Sequence, residues 1–430
     1  MLHRIPAGAA ALAIGLGTTC LLTSCSDDPV PAACTGADCN TGGQGGEGGG
    51  EPGLVCPESG VLHGPWSMRV TPTGATVRWD ACKPSSTSIL VTPEAGGAAI
   101  SFDGTQTAAE VTTDFSVLDS VPADHPGTYY LTEAAASGLA PGACYRYEVA
   151  AEPGRAGRFC TARPSGAPFT FMAIGDTNPA LGSTASTLSH ALARSPDFVV
   201  HVGDIQYYSS VFDSWSAWFP AMAPMLRQGA FFPAIGNHEA EIEDEFVDYY
   251  SRLFGGAGFD GKVEYYRFQS GGVWFFSLDT ELDVGQGSEQ AAWLEQQLAD
   301  ASAQPGYRFS IVYFHRPFIT LSEYSQEKAA REYFKPIFLQ RKVRLVIQGH
   351  VHGYERFEDG ELTYLTTGGG GAALHDVDVN VQARPEEAAL RVAAASVNHS
   401  IVFDVTATEI RGDAIDDLGA IVDSFIHPAP

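Results

Sequence analysis

Phe198-Val199-Val200-His201-Val202-Gly203-Asp204-Ile205-Gln206-Tyr207 is the stretch whose reading decides the fold. Its apolar run, 198–202, is too short for a typical helix and is closed by Gly203, which reads as a strand buried in a parallel sheet. A carboxylate, Asp204, and a phenol, Tyr207, follow just past its end. In open α/β sheets ligands gather outside the carboxyl ends of the strands, so these two residues stand where chemistry is usually done. His201 faces away from Val200 and Val202 and reads as a buried supporting residue rather than a ligand.

The same pattern repeats outward. Stretches 169–174, 231–235, 273–278, 308–314 and 343–347 read as further strands, and 184–194, 211–227, 289–301 and 327–340 as helices. Strands alternating with helices over 166–430 give an α/β class, a layered βαβ sandwich with a largely parallel or mixed sheet. Five strand ends carry groups able to hold a metal. They are Gly175-Asp176, Gly203-Asp204 with Tyr207, Gly236-Asn237-His238-Glu239, His315, and Gly349-His350-Val351-His352. One such ending is common, whereas a series along one sheet is not. Phosphate ester hydrolysis at a dinuclear site needs two cations roughly 3.5–4 Å apart, and Asp204 is placed to bridge them. Asp176 and the Tyr207 phenolate offer anionic oxygen suited to a trivalent ion. Asn237, His315 and His350 offer neutral donors suited to a divalent one.

Ahead of this domain the pattern differs. Segments 67–72, 75–79 and 88–92 alternate apolar and polar residues between Gly and Pro, which places a small antiparallel sandwich over 56–165. The cysteines fall at 20, 25, 34, 39, 56, 82, 144 and 160. Pairing among Cys56, Cys82, Cys144 and Cys160 would staple the sandwich in an oxidising compartment, with three connectivities open. Residues 25–55 form a Gly-rich flexible tether, and 1–24 a secretory signal whose apolar centre is short for a membrane span. The chain carries 25 basic against 51 acidic residues, a net charge of −26. Such a surface repels phosphate backbones, so no nucleic-acid partner is expected.

The series Gly-Asp, Gly-Asp-x-x-Tyr, Gly-Asn-His-Glu, strand-end His and Gly-His-x-His resembles the calcineurin-type metallophosphoesterases, and among them the purple acid phosphatases. The resemblance implies that Asp176, Asp204, Tyr207 and His352 bind Fe(III). It implies that Asp204, Asn237, His315 and His350 bind a divalent Fe, Zn or Mn, with Asp204 shared. His238 would be the catalytic general acid, and a metal-bound hydroxide would attack the phosphate ester. Asn178 stands where many non-purple relatives have a metal-binding histidine, consistent with Tyr207 taking that place. Glu355 and Arg356 look like supports behind the ligands. The segment 316–326 lacks a histidine pair that plant members use on substrate phosphate; Arg316, more readily an ion-pair residue, or Tyr324 would replace it. Leu139-x-Pro-Gly followed by Tyr145-x-Tyr147 resembles a fibronectin type III corner, and Leu22-Thr23-Ser24-Cys25 resembles the lipobox of bacterial lipoproteins. The latter implies export and lipid anchoring of Cys25 to the bacterial envelope, in the outer membrane or periplasm or at the cell surface, as the chain's one membrane contact. The expected activity is therefore metal-dependent hydrolysis of phosphate monoesters. Its alternatives are phosphodiester hydrolysis at the same site, or a surface binding lipoprotein with a vestigial metal domain. If tether and sandwich are spacers, residues 165–430 alone would hydrolyse substrate.

Overall fold

The computed structural model describes residues 56–114, 124–179, 181–207, 214–258 and 262–429. The expected signal, the tether and Cys25 lie outside the described residues. Phe198–His201 forms the anticipated buried strand, parallel to Phe169–Ile174 on one side and to Ala230–Pro233 on the other. Its four residues are all buried, which is why the run is continuously apolar rather than alternating.

Two sheets face each other. The larger has ten strands in the order Thr105–Val111, Gly127–Ala136, Gly74–Ala81, Val61–Thr71, Ala230–Pro233, Phe198–His201, Phe169–Ile174, His399–Val405, Glu409–Asp416 and Ile421–Pro428. The second has seven: Tyr266–Ser270, Val273–Ser277, Phe309–Phe314, Val343–Gln348, Leu362–Thr367, Tyr354–Asp359 and Arg391–Ala395. The sheet is mixed: its four central strands, Val273–Ser277 through Leu362–Thr367, pair in parallel, and the outer strands pair antiparallel. Between the sheets lies an aromatic seam. Phe171 stacks on Phe403 at 4.5 Å and meets Phe275 edge-on at 5.2 Å, as Phe198 does at 5.3 Å. Edge-to-face and offset contacts at these spacings add to what burial alone gives. Helices Glu289–Ser302 and Lys328–Gln340 cover the outer face of the second sheet with Leu294, Leu298, Phe334 and Phe338.

Helix Trp215–Gln228 begins where Ser214 Oγ accepts the Ala217 N–H at 3.1 Å, a side-chain cap. Trp215, Trp218 and Phe219 are buried, and Phe219 meets Trp66 and His63 of the N-terminal region. That region adds a four-stranded sheet, Ile100–Asp103, Ser88–Pro93, Cys144–Val149 and Ala156–Cys160, to the four strands it contributes to the large sheet. Cys56 is bonded to Cys82 and Cys144 to Cys160, which selects one of the three connectivities. Val61–Thr71 pairs in parallel with Ala230–Pro233 at Ser67 and Ala230, so the large sheet runs unbroken from the sandwich into the α/β core. No helix among the described residues is long and apolar enough to cross a membrane.

Candidate metal centre

Glycine precedes four of the five ligand-bearing turns, His315 following Phe314 instead, and at these glycines the backbone passes close to its neighbours. A Cβ on Gly203 would lie 2.8 Å from His315 Nδ1, and one on Gly236 2.1 Å from Asp204 Oδ1. Asp176, Asp204 and His350 themselves adopt φ of 57°, 50° and 68°. Non-glycine residues in this left-handed region are uncommon, and such strain concentrates at functional sites.

All seven predicted ligands converge, in two groups. In the first, Tyr207 Oη is 2.9 Å from His352 Nε2 and 3.5 Å from Asp176 Oδ1, and His352 Nε2 is 3.3 Å from that same oxygen. In the second, His315 Nε2 lies 3.2 Å from Asp204 Oδ2, 3.0 Å from Asn237 Oδ1 and 3.1 Å from His350 Nδ1. Each carboxylate is anchored by one oxygen and aims the other inward. Asp176 Oδ2 accepts the His350 N–H at 3.1 Å, and Asp204 Oδ1 accepts the His238 N–H at 3.0 Å.

Tautomers follow from the outer hydrogen bonds. His315 Nδ1–H donates to the Val202 carbonyl at 3.0 Å and His352 Nδ1–H to that of Ala373 at 2.6 Å. A neutral ring so engaged turns a lone pair at Nε2 toward the site, the arrangement metal-binding histidines use. The second group thus gathers four potential ligand atoms, Asn237 Oδ1, His315 Nε2, His350 Nδ1 and Asp204 Oδ2, the last fully buried with no hydrogen-bond partner. Such a set is held together by positive charge at its centre, and the donors, oxygen and imidazole nitrogen, fit a first-row transition ion. The electrostatics agree. Burial raises the Asp204 carboxyl, but His315 and His238 outweigh it and hold it well below the carboxylate range. Burial lowers His315, yet the Asp204 charge lifts it to about 9, so with no cation bound the ring carries an Nε2 proton that a metal ion would displace. Burial raises Asp176, and His352 and His315 offset part of that rise.

His238 sits at the rim of the second group. Its Nδ1–H donates to Glu241 Oε2 at 3.1 Å, and its Nε2 is 3.9 Å from Asp204 Oδ2. Arg316 takes the ion-pair role, with Nε 2.8 Å from Glu281 Oε1. His201 is buried off the site. Its Nε2–H donates to Thr177 Oγ1 at 3.0 Å, and burial lowers it to about 3, so it stays neutral. Arg356 turns to Asp423 rather than toward the ligand histidines, and Glu355 braces segment 317–326 by accepting Thr320 Oγ1–H at 2.6 Å and Leu321 N–H at 2.9 Å.

Sequence reasoning gave Glu239 no role, although it quoted the residue within Gly-Asn-His-Glu. Fully enclosed, its carboxylate accepts the backbone N–H groups of Asp204, Ile205 and Gly236 at 2.9, 2.8 and 2.8 Å. It thereby ties the second metal-binding turn to the third.

Residues 169–354 match the model of the calcineurin-like phosphoesterase family. Among individual proteins the chain is similar to purple acid phosphatases. It is 27% identical to purple acid phosphatase 15 of Arabidopsis thaliana over 226 residues, 45% of this chain and 42% of that protein. It is 30% identical to purple acid phosphatase 18 of the same plant over 206 residues, 45% of this chain and 46% of the relative. The chain thus spans about half the length of these relatives. Its fold matches that of a purple acid phosphatase from yellow lupin (Lupinus luteus) seeds, with a TM-score of 0.68 at 17% identity over 84% of this chain and 73% of the other. PhoD matches with a TM-score of 0.59 at 11% identity, over 87% and 90%.

Proposed function

We propose that this protein is a dinuclear metal-dependent phosphoesterase acting on phosphate monoesters, with Asp176, Asp204, Tyr207 and His352 holding Fe(III) and Asp204, Asn237, His315 and His350 holding a divalent Fe, Zn or Mn. The observation that carries this reading is the second donor group, in which four potential ligand atoms gather around His315 Nε2 with the Asp204 oxygen buried and without a hydrogen-bond partner. Two bound cations would neutralise the phosphoryl oxygens and supply an activated water. The chain's own residues do the rest. Asp204 would be shared between the two cations, and the anchored carboxylates and the outer hydrogen bonds of His315 and His352 hold these donors in place without reorganisation. His238, its Nδ1–H fixed by Glu241, keeps Nε2 toward the site and would deliver a proton to the leaving alkoxide.

The N-terminal 56–165 region is read as fibronectin type III-like. In support, Tyr145 Oη accepts the Ala140 N–H at 2.9 Å, the back-bond of a tyrosine corner. Export and acylation of Cys25 complete the proposal; Cys25→Ser is expected to release the protein from the membrane fraction.

Protein purified without chelator is expected to hold about two metals per chain, the number the two donor groups call for. It should show a broad visible band that Tyr207→Phe removes, and should hydrolyse p-nitrophenyl phosphate faster than its bis ester. Asp204→Asn should abolish turnover. A colourless protein with two metals removes the iron, preference for the bis ester replaces monoesterase with diesterase, and a metal-free inactive protein leaves a binding module.

A further inference from the structure

Asp176 and Asp204 stand at matching places past two adjacent strand ends. The parallel pairing of Phe169–Ile174 with Phe198–His201 ends with Ile174 opposite His201, and the Val202 N–H donates to Ile174 O at 2.9 Å. Each chain then runs through a glycine, Gly175 or Gly203, into an aspartate in the left-handed region, at φ of 57° and 50°. Non-glycine residues hold that conformation only where the surrounding structure over-determines it. Regular strand pairing has stopped by this point, so other bonds must keep the two turns in register.

Thr177 supplies most of them. The Asp176 N–H donates to Gly203 O at 3.1 Å, the Thr177 N–H to Asp204 O at 3.0 Å, and Thr177 Oγ1–H to Ile205 O at 2.8 Å. Three successive carbonyls are thus taken, the last by a side chain, because the next backbone donor turns away: the Asn178 N–H donates to Thr184 Oγ1 at 3.0 Å. A carbonyl only accepts, so the Thr177 hydroxyl proton lies toward Ile205 and Oγ1 accepts from His201 Nε2–H at 3.0 Å. His201 Nδ1 is left buried with no hydrogen-bond partner, so the ring's polar contact is spent on orienting that hydroxyl. Thr177, His201 and Ile205 are all fully buried, and water does not compete for these bonds. Glu239 holds the N–H side of residues 204 and 205. Thr177 holds their carbonyl side, and of the two it alone joins them to the turn of Asp176.

We propose that Thr177 is a positioning residue whose hydroxyl, oriented by His201, sets the separation of Asp176 and Asp204 and with it the spacing of the two cations. The inference rests on the dinuclear reading above, in which Asp176 serves one cation and Asp204 both. Groups behind a ligand fix its orientation, and their loss weakens metal binding. Full-length protein, stripped of metal and titrated with Mn(II) under electron paramagnetic resonance, tests it as wild type, Thr177→Val, Thr177→Ser and His201→Leu. Valine keeps the branched shape of threonine and removes the hydroxyl, whereas serine keeps the hydroxyl. The wild type is expected to bind Mn(II) as a spin-coupled pair, with a broadened multiline spectrum in place of the sharp sextet of isolated ions. In Thr177→Val the Kd of the second Mn(II) should rise roughly 10–100-fold, and the coupling between the two ions should change. Thr177→Ser should restore both quantities. His201→Leu should show a smaller rise in the same direction.

A hydroxyl that is merely structural would lower the unfolding temperature when removed and leave Mn(II) affinity and coupling as in the wild type; that result in Thr177→Val overturns the positioning role. A loss that Thr177→Ser fails to restore overturns it too, since the hydroxyl is then not what matters. Wild-type affinity in His201→Leu overturns the orienting role of His201. If Thr177→Val does not fold, Thr177→Ala decides on the same two readouts. A wild-type protein that binds no Mn(II), or binds it without coupling, overturns the dinuclear reading itself, and the role of Thr177 falls with it.

Discussion

Glu239 illustrates how a residue with no ligand atom controls the geometry of those that have one. Its two oxygens accept three backbone N–H groups from two different turns, and burial beside the Asp204 charge raises it to about 8. Glu239→Gln places an amide NH2 against at least one of those donors. A buried donor without an acceptor costs about 1–3 kcal/mol, so the denaturant midpoint should fall by that amount and bound metal should drop below the wild-type level. Glu355 makes a pH-dependent prediction of the opposite kind. Burial, only partly offset by Thr320, the Leu321 N–H and Arg391, raises it to about 7 from the ordinary 4.5. A carboxyl with a raised folded-state pKa stabilises the fold when protonated. Its contribution is full below about pH 4.5 and disappears as the pH climbs through about 7. Thermal unfolding from pH 5 to pH 8 should therefore show a loss of stability in the wild type that is smaller in Glu355→Gln. Equal slopes in the two proteins would show that Glu355 does not titrate as its burial implies.

At the level of elements, the site is built from strand ends that turn at once through glycine. Gly203 has φ +93°, and any Cβ there meets His315 Nδ1 at 2.8 Å and the Gly236 backbone at 2.9 Å. Neither neighbour is the loose end of a flexible chain, so Gly203→Ala displaces His315 or the Asn237 turn. The expected outcome is a protein that retains its far-ultraviolet circular dichroism but binds fewer than two metals by elemental analysis. This is also why so much of the centre was legible in the sequence. Runs such as 198–202 and 343–347 are largely buried, hence apolar apart from His201 and Arg344, and each leads into a glycine followed by a donor. Elements without that signature went unread. Arg391–Ala395 has a half-exposed pattern and little to distinguish it from a loop, and Thr105–Val111 is mostly polar because it lies at a sheet edge. The pairing of Val61–Thr71 with Ala230–Pro233 was equally invisible, since it joins regions that the local pattern makes look independent.

That pairing changes the expectation for the molecule as a whole. If the N-terminal sandwich were a spacer, the chain from residue 166 onward would fold and work alone. The contacts across the boundary argue against it. Arg252 reaches Asp80 with both terminal nitrogens, at 2.7 and 2.9 Å, and Asp80, buried yet held to about 2 by Arg252 and His63, stays ionised. Arg78 Nη1 donates to the carbonyls of Leu253 and Gly255 at 2.8 and 2.9 Å. Asp248 accepts the N–H groups of Thr112 and Thr113 at 2.7 and 2.8 Å, and Asp124 accepts those of Trp215 and Ser216 at 2.8 and 2.9 Å, at the start of the helix that follows Tyr207. Trp66 packs between Phe219 and Phe254 at 5.3 and 5.6 Å. Cutting at 166 would expose that aromatic face, uncover the edge of Ala230–Pro233 two residues before Gly236, and strand several buried charges. A chain of 166–430 is therefore expected to be insoluble or to bind no metal, and a soluble fragment with wild-type kcat/KM would restore the spacer. Asp80→Asn asks the same question without deleting a domain. It leaves Arg252 buried opposite a neutral amide, and breaking one side of a buried pair costs about 3–5 kcal/mol. If the boundary is one cooperative interface, that loss should appear as a single unfolding transition moved to lower denaturant. A second, separate transition assigned to the N-terminal layer would show instead that the two regions unfold independently.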